Sequence, residues 1–385
     1  MNRTVQISQL YNFSIAFHYL QRLILYSSFY NIIPGYVPTL CNYASIACLI
    51  LKFVVEARRE KFTFKWLIIV STFFPFLWLG AVRANSNELI WLLIFVISAK
   101  NVEPESIAKT IYRVCGVGTL IIVFCALLKL IPNNYEIAIA SSGKIVIRMY
   151  MGFIHCNVFG SFLSTIFMCH FFVRFNKINK LDYVYGLLLM CICAFVAYSR
   201  TNALVMLIAI LSIFFYKKRK KGCLVATVVV MASVMVLSIF LCVNYNPSNT
   251  LMVAVDEMLT GRLSAAKAAY DEYGFSIMGQ DFQTIFKTST VAFGDTSKQQ
   301  QVIDNAFMHM LVHYGILPSA LLIWYYFSNV FWLFNNRRMD ILFVVMLSFT
   351  QGIAEGTIYS TYNVALFILA TVQYQRMSQR GNSIL

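Results

Sequence analysis

Long apolar stretches, separated by short polar and charged segments, run through most of the chain. The hydrocarbon core of a bilayer is roughly 30 Å thick, so a helix needs about 20 apolar residues to cross it. Helices are expected because lipid-exposed strand edges would leave backbone groups without hydrogen-bond partners. The pattern predicts twelve crossings, at residues 10–31, 36–55, 64–82, 87–100, 111–131, 150–174, 182–199, 201–216, 222–243, 306–334, 340–358 and 360–375.

The composition agrees with this pattern. Of the 385 residues, 59% are hydrophobic and 12% are charged, which is about half the charged fraction of soluble domains. A soluble enzyme and a disordered chain are therefore excluded. We expect an all-α integral membrane protein with about 12 transmembrane helices and one large extracytoplasmic loop. Residues 1–243 would form a bundle of helices 1–9, 244–305 the loop, and 306–385 helices 10–12.

The placement of the positive charges explains the net charge of +15. The basic residues form short runs between apolar segments, such as residues 217–221, and none is long enough to follow a nucleic-acid backbone. With the N-terminus inside, 21 Lys and Arg lie on the inner side and nine on the outer side. Cytoplasmic loops carry such an excess. We therefore expect both termini to be cytoplasmic, and we expect no nucleic-acid partner.

The cysteines give no sign of a metal site or a disulfide framework. The chain has ten cysteines, nearly all in apolar stretches and none in a C-x-x-C pair, as expected for small polarizable side chains that pack between helices. His309 and His313 have the spacing of a chelating pair, but the sequence offers no third ligand beside them. No cofactor and no metal are predicted. Residues 1–34 lack a short apolar core with a small-residue cleavage site, so no removable signal peptide is expected.

Polar and ionisable residues at the edges of the apolar segments are the candidates for function, because they are costly in a bilayer. They lie in four places, all predicted on the outer side: residues 148–157, 198–202, 259–274 and 304–315. In the first, Arg148 and His155 are seven residues apart. We expect them on one face of the sixth helix, about 10 Å apart along its axis, with Asn157 on a different face.

These residues suit a substrate with phosphates and sugar hydroxyls. The guanidinium groups of Arg148, Arg200 and Arg262 can bind phosphate oxygens, while His155 or Asp304 can accept a proton. Simpler interpretations stay open. The arginines would then meet lipid headgroups or water, and Asp304 would cap the following helix. The sequence has no nucleotide-binding motif and no D-x-D metal motif, which favours a lipid-linked donor over a nucleotide sugar.

The motifs resemble those of the Wzy-type polysaccharide polymerases of bacterial O-antigen, capsule and exopolysaccharide pathways. Residues 148–157 are similar to the family's R-x-x-x-G-F-x-H-P-N stretch, with Cys156 in place of proline, and residues 198–201 resemble its S-R-T turn. Residues 259–279 look like its loop with an arginine and glycines. Asp304-Asn305-x9-Gly315 is similar to the H-N-x9-G stretch of the related O-antigen ligases. Asp304 stands where those ligases place histidine, and Asp-Asn is typical of the polymerases.

The resemblance implies a metal-independent glycosyltransferase with a GT-C-like bundle in the bacterial cytoplasmic membrane. It would join repeat units linked to undecaprenyl diphosphate at the outer face. Arg262 would stabilise the leaving group and Asp304, or alternatively His155, would take the proton. The residues expected to bind the diphosphate or the glycan are Arg148, Arg200, Asn157, Asn305 and Tyr273.

The partners implied are the lipid-linked donor and acceptor and the bilayer, with a chain-length regulator and a flippase by analogy. Other classes of protein stay open. An O-antigen-type ligase would share most of these motifs. A transporter or flippase of lipid-linked sugars would place its polar groups near the middle of the membrane, between broken helices, whereas these charges lie on one side. A sensor or a purely structural membrane protein is a further alternative.

Overall fold

The computed structural model describes residues 3–58, 64–139, 145–218, 220–259, 261–281, 303–353, 355–356, 358–360 and 363–382. The described chain is mostly helical. The first half contains α1 Arg3–Leu25, α2 Tyr36–Ala57, α3 Phe64–Arg83, α4 Glu88–Ser98, α5 Pro104–Leu127, β1 Tyr135–Ile139, β2 Ile145–Met149, α6 Cys156–Arg174 and α7 Lys180–Cys191. The second half contains α8 Arg200–Lys218, α9 Lys220–Val243, α10 Thr250–Met258, α11 Arg262–Tyr273, α12 Ala306–His309, α13 Ile316–Asn335, α14 Met339–Gln351 and α15 Val364–Asn382.

Each of the twelve predicted apolar segments overlaps one of these helices. Five helical stretches within the described residues are long and apolar enough to cross a membrane: Tyr36–Ala57, Pro104–Leu127, Cys156–Lys177, Val225–Val243 and Ile316–Asn335. Three shorter apolar helices are Glu88–Ser98, Arg200–Tyr216 and Met339–Gln351. The protein is thus a membrane protein with several spanning helices. The count of twelve and the division into three domains stay predictions.

The core of the bundle lies around α6, α14 and α15. Of the apolar stretch in Cys156–Lys177, 72% is buried, whereas the corresponding shares are 28% for α2, 28% for α5 and 22% for α9. Side chains of α14 and α15 such as Leu342, Val345 and Ile368 are fully enclosed. The helices with exposed apolar faces therefore form the periphery, where lipid replaces protein as their neighbour.

A β hairpin precedes α6, in a region that the hydrophobic pattern assigned to helices and loops alone. Strands β1 and β2 are antiparallel, with Glu136 opposite Arg148. Met151 and Gly152 then adopt positive φ angles of 50° and 83°, and α6 begins only at Cys156. The expectation that Arg148 and His155 share a helical face is therefore wrong. The reason is local: residues 145–147 are all β-branched, which favours a strand. The positive φ angles of Met151 and Gly152 exclude a continuous helix from Arg148 to His155.

Two breaks shape the second half of the chain. The first break is at Gly261, whose φ is 78° and which separates α10 from α11. After α12, a wide turn at Met310–Tyr314 ends at Gly315, whose φ is 91°. The backbone of residues 276–280 fills this second break. The amide of Ile316 donates to the carbonyl oxygen of Ser276 at 2.8 Å, and the amide of Gln280 donates to the carbonyl oxygen of His313 at 3.0 Å.

Gly315 and Gly279 make this fit possible. A Cβ atom on Gly315 would overlap the backbone nitrogen of Gly279, and a Cβ atom on Gly279 would lie 2.9 Å from the carbonyl oxygen of Gly80 in α3. Residues 276–280 thereby hold the C-terminal end of α11 against α3 and the start of α13. Gly279 and Gly315 thus pack directly against each other.

Candidate functional site

An arginine between two carboxylates forms the centre of the candidate site. Arg262 is the first residue of α11, and its Nε donates to Oδ2 of Asp304 at 3.2 Å. Its Nη2 lies 3.9 Å from Oε1 of Glu355, and its Nη1 donates to the carbonyl oxygen of Leu259 at 3.2 Å. Only 10% of the Arg262 side chain is exposed, compared with 42% of Asp304. The guanidinium is therefore fixed, while one carboxylate faces an open space.

The start of α11 is held by a third acidic residue. Oδ1 of Asp256, in α10, accepts hydrogen bonds from the backbone amides of Leu263 at 2.7 Å and Ser264 at 3.2 Å. Carboxylates are favourable at this position because the first amides of a helix have no partner within it. The break at Gly261 and this cap together aim Arg262 towards Asp304.

Asn305, rather than Asp304, caps α12. Its side-chain oxygen accepts from the amides of Phe307 and Met308 at 3.1 and 3.0 Å. Its Nδ2 donates to Ser238 in α9 and to the carbonyl oxygen of Ile353. The interpretation of Asp304 as a helix cap is therefore wrong. Asn305 is buried and its amide is engaged within the protein, so it positions Asp304 and has no free surface for a glycan in this conformation.

A second group of charges surrounds the hairpin. Arg148 on β2 lies 3.7 Å from Glu136 on β1, and Nε2 of His155 lies 4.0 Å from the same carboxylate. The guanidinium carbon of Arg148 is 5.9 Å from the centre of the Tyr198 ring. Arg200 lies against that ring at 4.9 Å and donates to its hydroxyl at 3.2 Å. One aromatic ring thus connects two of the three predicted arginines.

The hairpin group and the Arg262 centre belong to one site. Burial is the main effect on the pKa of His155 and lowers it. The carboxylates of Glu136 and Asp304 raise this pKa, and the guanidinium groups of Arg148 and Arg262 lower it. The charges of Asp304 and Arg262 are therefore close enough to influence His155 at the start of α6. Three arginines, one histidine and three carboxylates meet at the end of the bundle that carries the hairpin, which we call the hairpin end.

Two of the residues predicted to bind the substrate lie outside this cluster of charges. Tyr273 is the last residue of α11 and Arg262 the first, which separates them by about 16 Å at 1.5 Å per residue. Asn157 lies beside the site, where its backbone amide donates to Nδ1 of His155 at 3.1 Å. This bond makes His155 the N-cap of α6. It leaves Nε2 as the ring nitrogen directed towards Glu136.

The two carboxylates beside Arg262 have raised pKa values for the same main reason. Burial raises the pKa of Asp304, and Arg262 opposes this shift. Burial raises the pKa of Glu355 to about 8, again opposed by Arg262. Glu355 is the more enclosed of the two, with 16% of its side chain exposed, so it feels the stronger desolvation. Burial therefore favours the protonated form of Glu355 at neutral pH.

Glu136, His155 and Cys156 are the residues that could hold a metal ion in the described part of the chain. Their donor atoms all lie within 4.8 Å of one another. Two features of the site compete with such an ion. The guanidinium of Arg148 already neutralises Glu136, and Nδ1 of His155 already accepts a hydrogen bond from the amide of Asn157.

The sequence alone missed two members of the site, Glu136 and Glu355. Glu355 lies in the connection between α14 and α15, inside the stretch 340–358 that hydropathy assigned to a crossing. An ionisable residue within such a stretch is itself a signal of function. Glu136 lacks such a signal, because an acidic residue in a predicted loop is ordinary. Only its pairing with Arg148 across the hairpin brings it into the site.

The fold and the site define a multi-pass membrane protein with a cluster of arginines and carboxylates at one end of its bundle. A protein-family model described as O-antigen ligase (Wzy_C) matches residues 185–325. The match covers Arg200, Arg262 and Asp304 but not Arg148, His155 or Glu355. It supports the O-antigen ligase and polymerase superfamily and a role in membrane polysaccharide biosynthesis. No curated protein and no solved structure matches the chain.

Proposed function

We propose that this chain is a polysaccharide polymerase of the bacterial cytoplasmic membrane. It would join oligosaccharide repeat units linked to undecaprenyl diphosphate at the outer face of that membrane. The observation that carries the proposal is the fixed Arg262 beside the half-exposed Asp304, with Arg148 and Arg200 at the same end of the bundle. Arginines bind the oxygens of a diphosphate through charge-assisted hydrogen bonds, and the carboxylate can take a proton.

The proposed reaction is a displacement at the anomeric carbon of the donor glycan. A hydroxyl oxygen of the acceptor sugar forms the new bond to that carbon. The bond from the same carbon to the diphosphate oxygen breaks, and its electron pair stays on the diphosphate. The proton of the acceptor hydroxyl passes to Asp304. Arg262, Arg148 and Arg200 stabilise the charge that develops on the leaving diphosphate.

In this reaction, Glu355 has a different role from Asp304. Diphosphate and carboxylates compete for Arg262, so an ionised carboxylate that stays on the guanidinium weakens donor binding. Because burial favours the protonated form of Glu355 at neutral pH, Glu355 does not add a second negative charge to that of Asp304 beside Arg262. Donor binding to Arg262 then releases Asp304 to accept the proton. We therefore assign Glu355 as a positioning residue and Asp304 as the proposed general base.

The choice between a polymerase and a ligase depends on the acceptor. Asp304 stands where the related ligases place histidine, which favours the polymerase. The description of the matching family model as O-antigen ligase favours the second candidate, a ligase that transfers the finished glycan to an acceptor without a diphosphate. Both reactions would use the same arginines for the donor.

The test is a turnover assay with the purified protein in bilayer nanodiscs. The substrate is an authentic repeat unit linked to undecaprenyl diphosphate, without nucleotide sugar and without added metal. We expect a product ladder spaced by one repeat unit. Arg262→Ala and Asp304→Asn should each lower the rate by about 10²–10³-fold. Lys267→Ala is the matched control, because Lys267 lies on the same helix and pairs with Asp271 away from the site.

The competing functions give different products. A ligase would leave the repeat unit unchanged on its own and would attach it once to an added lipid-core acceptor. A flippase would leave the chemistry unchanged in both cases and move the lipid between leaflets. Either outcome with an active substrate preparation would overturn the polymerase proposal. An unchanged rate in Asp304→Asn would reject Asp304 as the base even if the ladder forms.

A further inference from the structure

The hairpin β1–β2 has two chemically different faces. Residues that lie opposite each other in an antiparallel pair share a face, and neighbours along a strand alternate between faces. Glu136 and Arg148 are opposite each other, and together with Val146 they form the side that we call the site face. Tyr135, Ile137, Ile145 and Ile147 form the other side, the apolar face.

The four side chains of the apolar face are each more than half exposed. The exposed fractions are 61% for Tyr135, 62% for Ile137, 73% for Ile145 and 56% for Ile147. A two-stranded hairpin is at best marginally stable in water by itself. Large aliphatic side chains grouped on one side of such a hairpin indicate a surface that is covered by something apolar.

The apolar face continues a surface that already faces lipid. Helix α5 leads into the hairpin, and it exposes 71% of Leu120, 62% of Phe124 and 61% of Leu127. The connection that follows exposes 65% of Leu130. Because α5 is one of the stretches long enough to cross a membrane, we expect this row of residues to lie against acyl chains. The row leads along the chain directly to the hairpin.

We propose that the hairpin is an amphipathic membrane anchor whose apolar face lies in the interfacial layer of the bilayer, against phospholipid acyl chains. The depth is limited, because the outer edge of each strand in a two-stranded hairpin carries backbone groups outside the ladder, and such groups need water or headgroups. The hairpin therefore lies flat, with its edges among the headgroups. Its site face then holds Arg148 at the level of the lipid phosphates, where the diphosphate of a lipid-linked donor also lies. This last step rests on the proposed function.

The test is photocrosslinking to lipid. The encoded amino acid p-benzoyl-phenylalanine replaces Ile147 or Ile137 in the full-length protein, in nanodiscs of phosphatidylglycerol and phosphatidylethanolamine with alkyne-tagged acyl chains. Phe124 is the lipid-facing reference, and Val146 on the site face is the matched control. We expect lipid adducts at positions 137 and 147 at a level similar to position 124, and at least fivefold less at position 146.

Other outcomes would overturn the proposal. If position 124 gives adducts and positions 137 and 147 do not, the apolar face does not contact acyl chains. A crosslink between two copies of the chain would show a protein interface instead. Adducts that form only with an alkyne-tagged undecaprenyl diphosphate would assign the face to the donor's tail. Because the crosslink needs no turnover, its result is independent of the polymerase assay.

A functional measurement complements the crosslink. Ile137→Ser combined with Ile147→Ser should lower the transfer rate about tenfold in nanodiscs, whereas the corresponding leucine variants should keep it. An unchanged rate in the serine variant would mean that the apolar face does not set the position of Arg148.

Discussion

Glu355→Gln is the variant that most directly tests the electrostatics of the site. Glu355 is nearly enclosed, lies 3.9 Å from Arg262, and has a pKa raised by burial to about 8. At pH 7 its acid form is therefore favoured about tenfold over the carboxylate. Glutamine has the size and neutrality of that acid form. We expect the variant to fold and to turn over like the wild type at pH 6–7.

The two proteins should differ in how their stability depends on pH. A folded-state pKa of about 8, above the ordinary value of 4.5, means that the folded protein keeps a proton that the unfolded chain releases. The stability from Glu355 is thus fully present below pH 4.5 and is lost as the pH rises to about 8. The slope is about 1.4 kcal/mol per pH unit, or roughly 5 kcal/mol over the whole window. Glutamine removes this slope.

Thermal unfolding of the purified proteins at pH 6, 7 and 8 measures this difference, with the transfer rate recorded at the same pH values. The wild type should lose stability relative to Glu355→Gln by about 1–3 kcal/mol between pH 6 and pH 8. Glu257→Gln on the exposed side of α10 is the control and should run parallel to the wild type. Parallel curves for Glu355→Gln and the wild type would refute the buried proton.

Further variants test the packing and the arginine cluster. Gly315→Ala should lower the free energy of unfolding by about 2 kcal/mol, because the φ of Gly315 is 91° and a Cβ atom there would overlap the opposing backbone. Gly116→Ala is the control, because Gly116 has open space around it, and it should change the free energy of unfolding by less than about 1 kcal/mol. Asn305→Ala should cost about 1–2 kcal/mol through the lost cap, measured by thermal unfolding. Tyr198→Leu should slow transfer about tenfold, since two cation–π contacts are lost, whereas Tyr273→Phe should keep the wild-type rate. A stable Gly315→Ala protein, an unchanged Asn305→Ala melting curve or a fast Tyr198→Leu enzyme would each contradict the corresponding contact.

The membrane character of the protein and the positions of its helices followed from the sequence alone. Hydropathy summed over a segment is a local property, and it decides between lipid and water without reference to the rest of the chain. All twelve predicted apolar segments overlap helices of the structure. The same reasoning selected Arg148, Arg200, Arg262, His155 and Asp304, because charged groups are conspicuous beside apolar stretches.

The tertiary structure alone decided how these residues are combined. Asp304 meets Arg262 across 42 residues of chain, and Glu355 joins them from the connection after α14. Arg148 lies on strand β2 and not on the helix that its spacing from His155 predicted, so its neighbour is Glu136 on the opposite strand. Asn305 caps α12, and the side chain of Asp304 contacts Arg262 instead. Contacts of this kind depend on which helices pack together, and hydropathy along the chain contains no information about that choice.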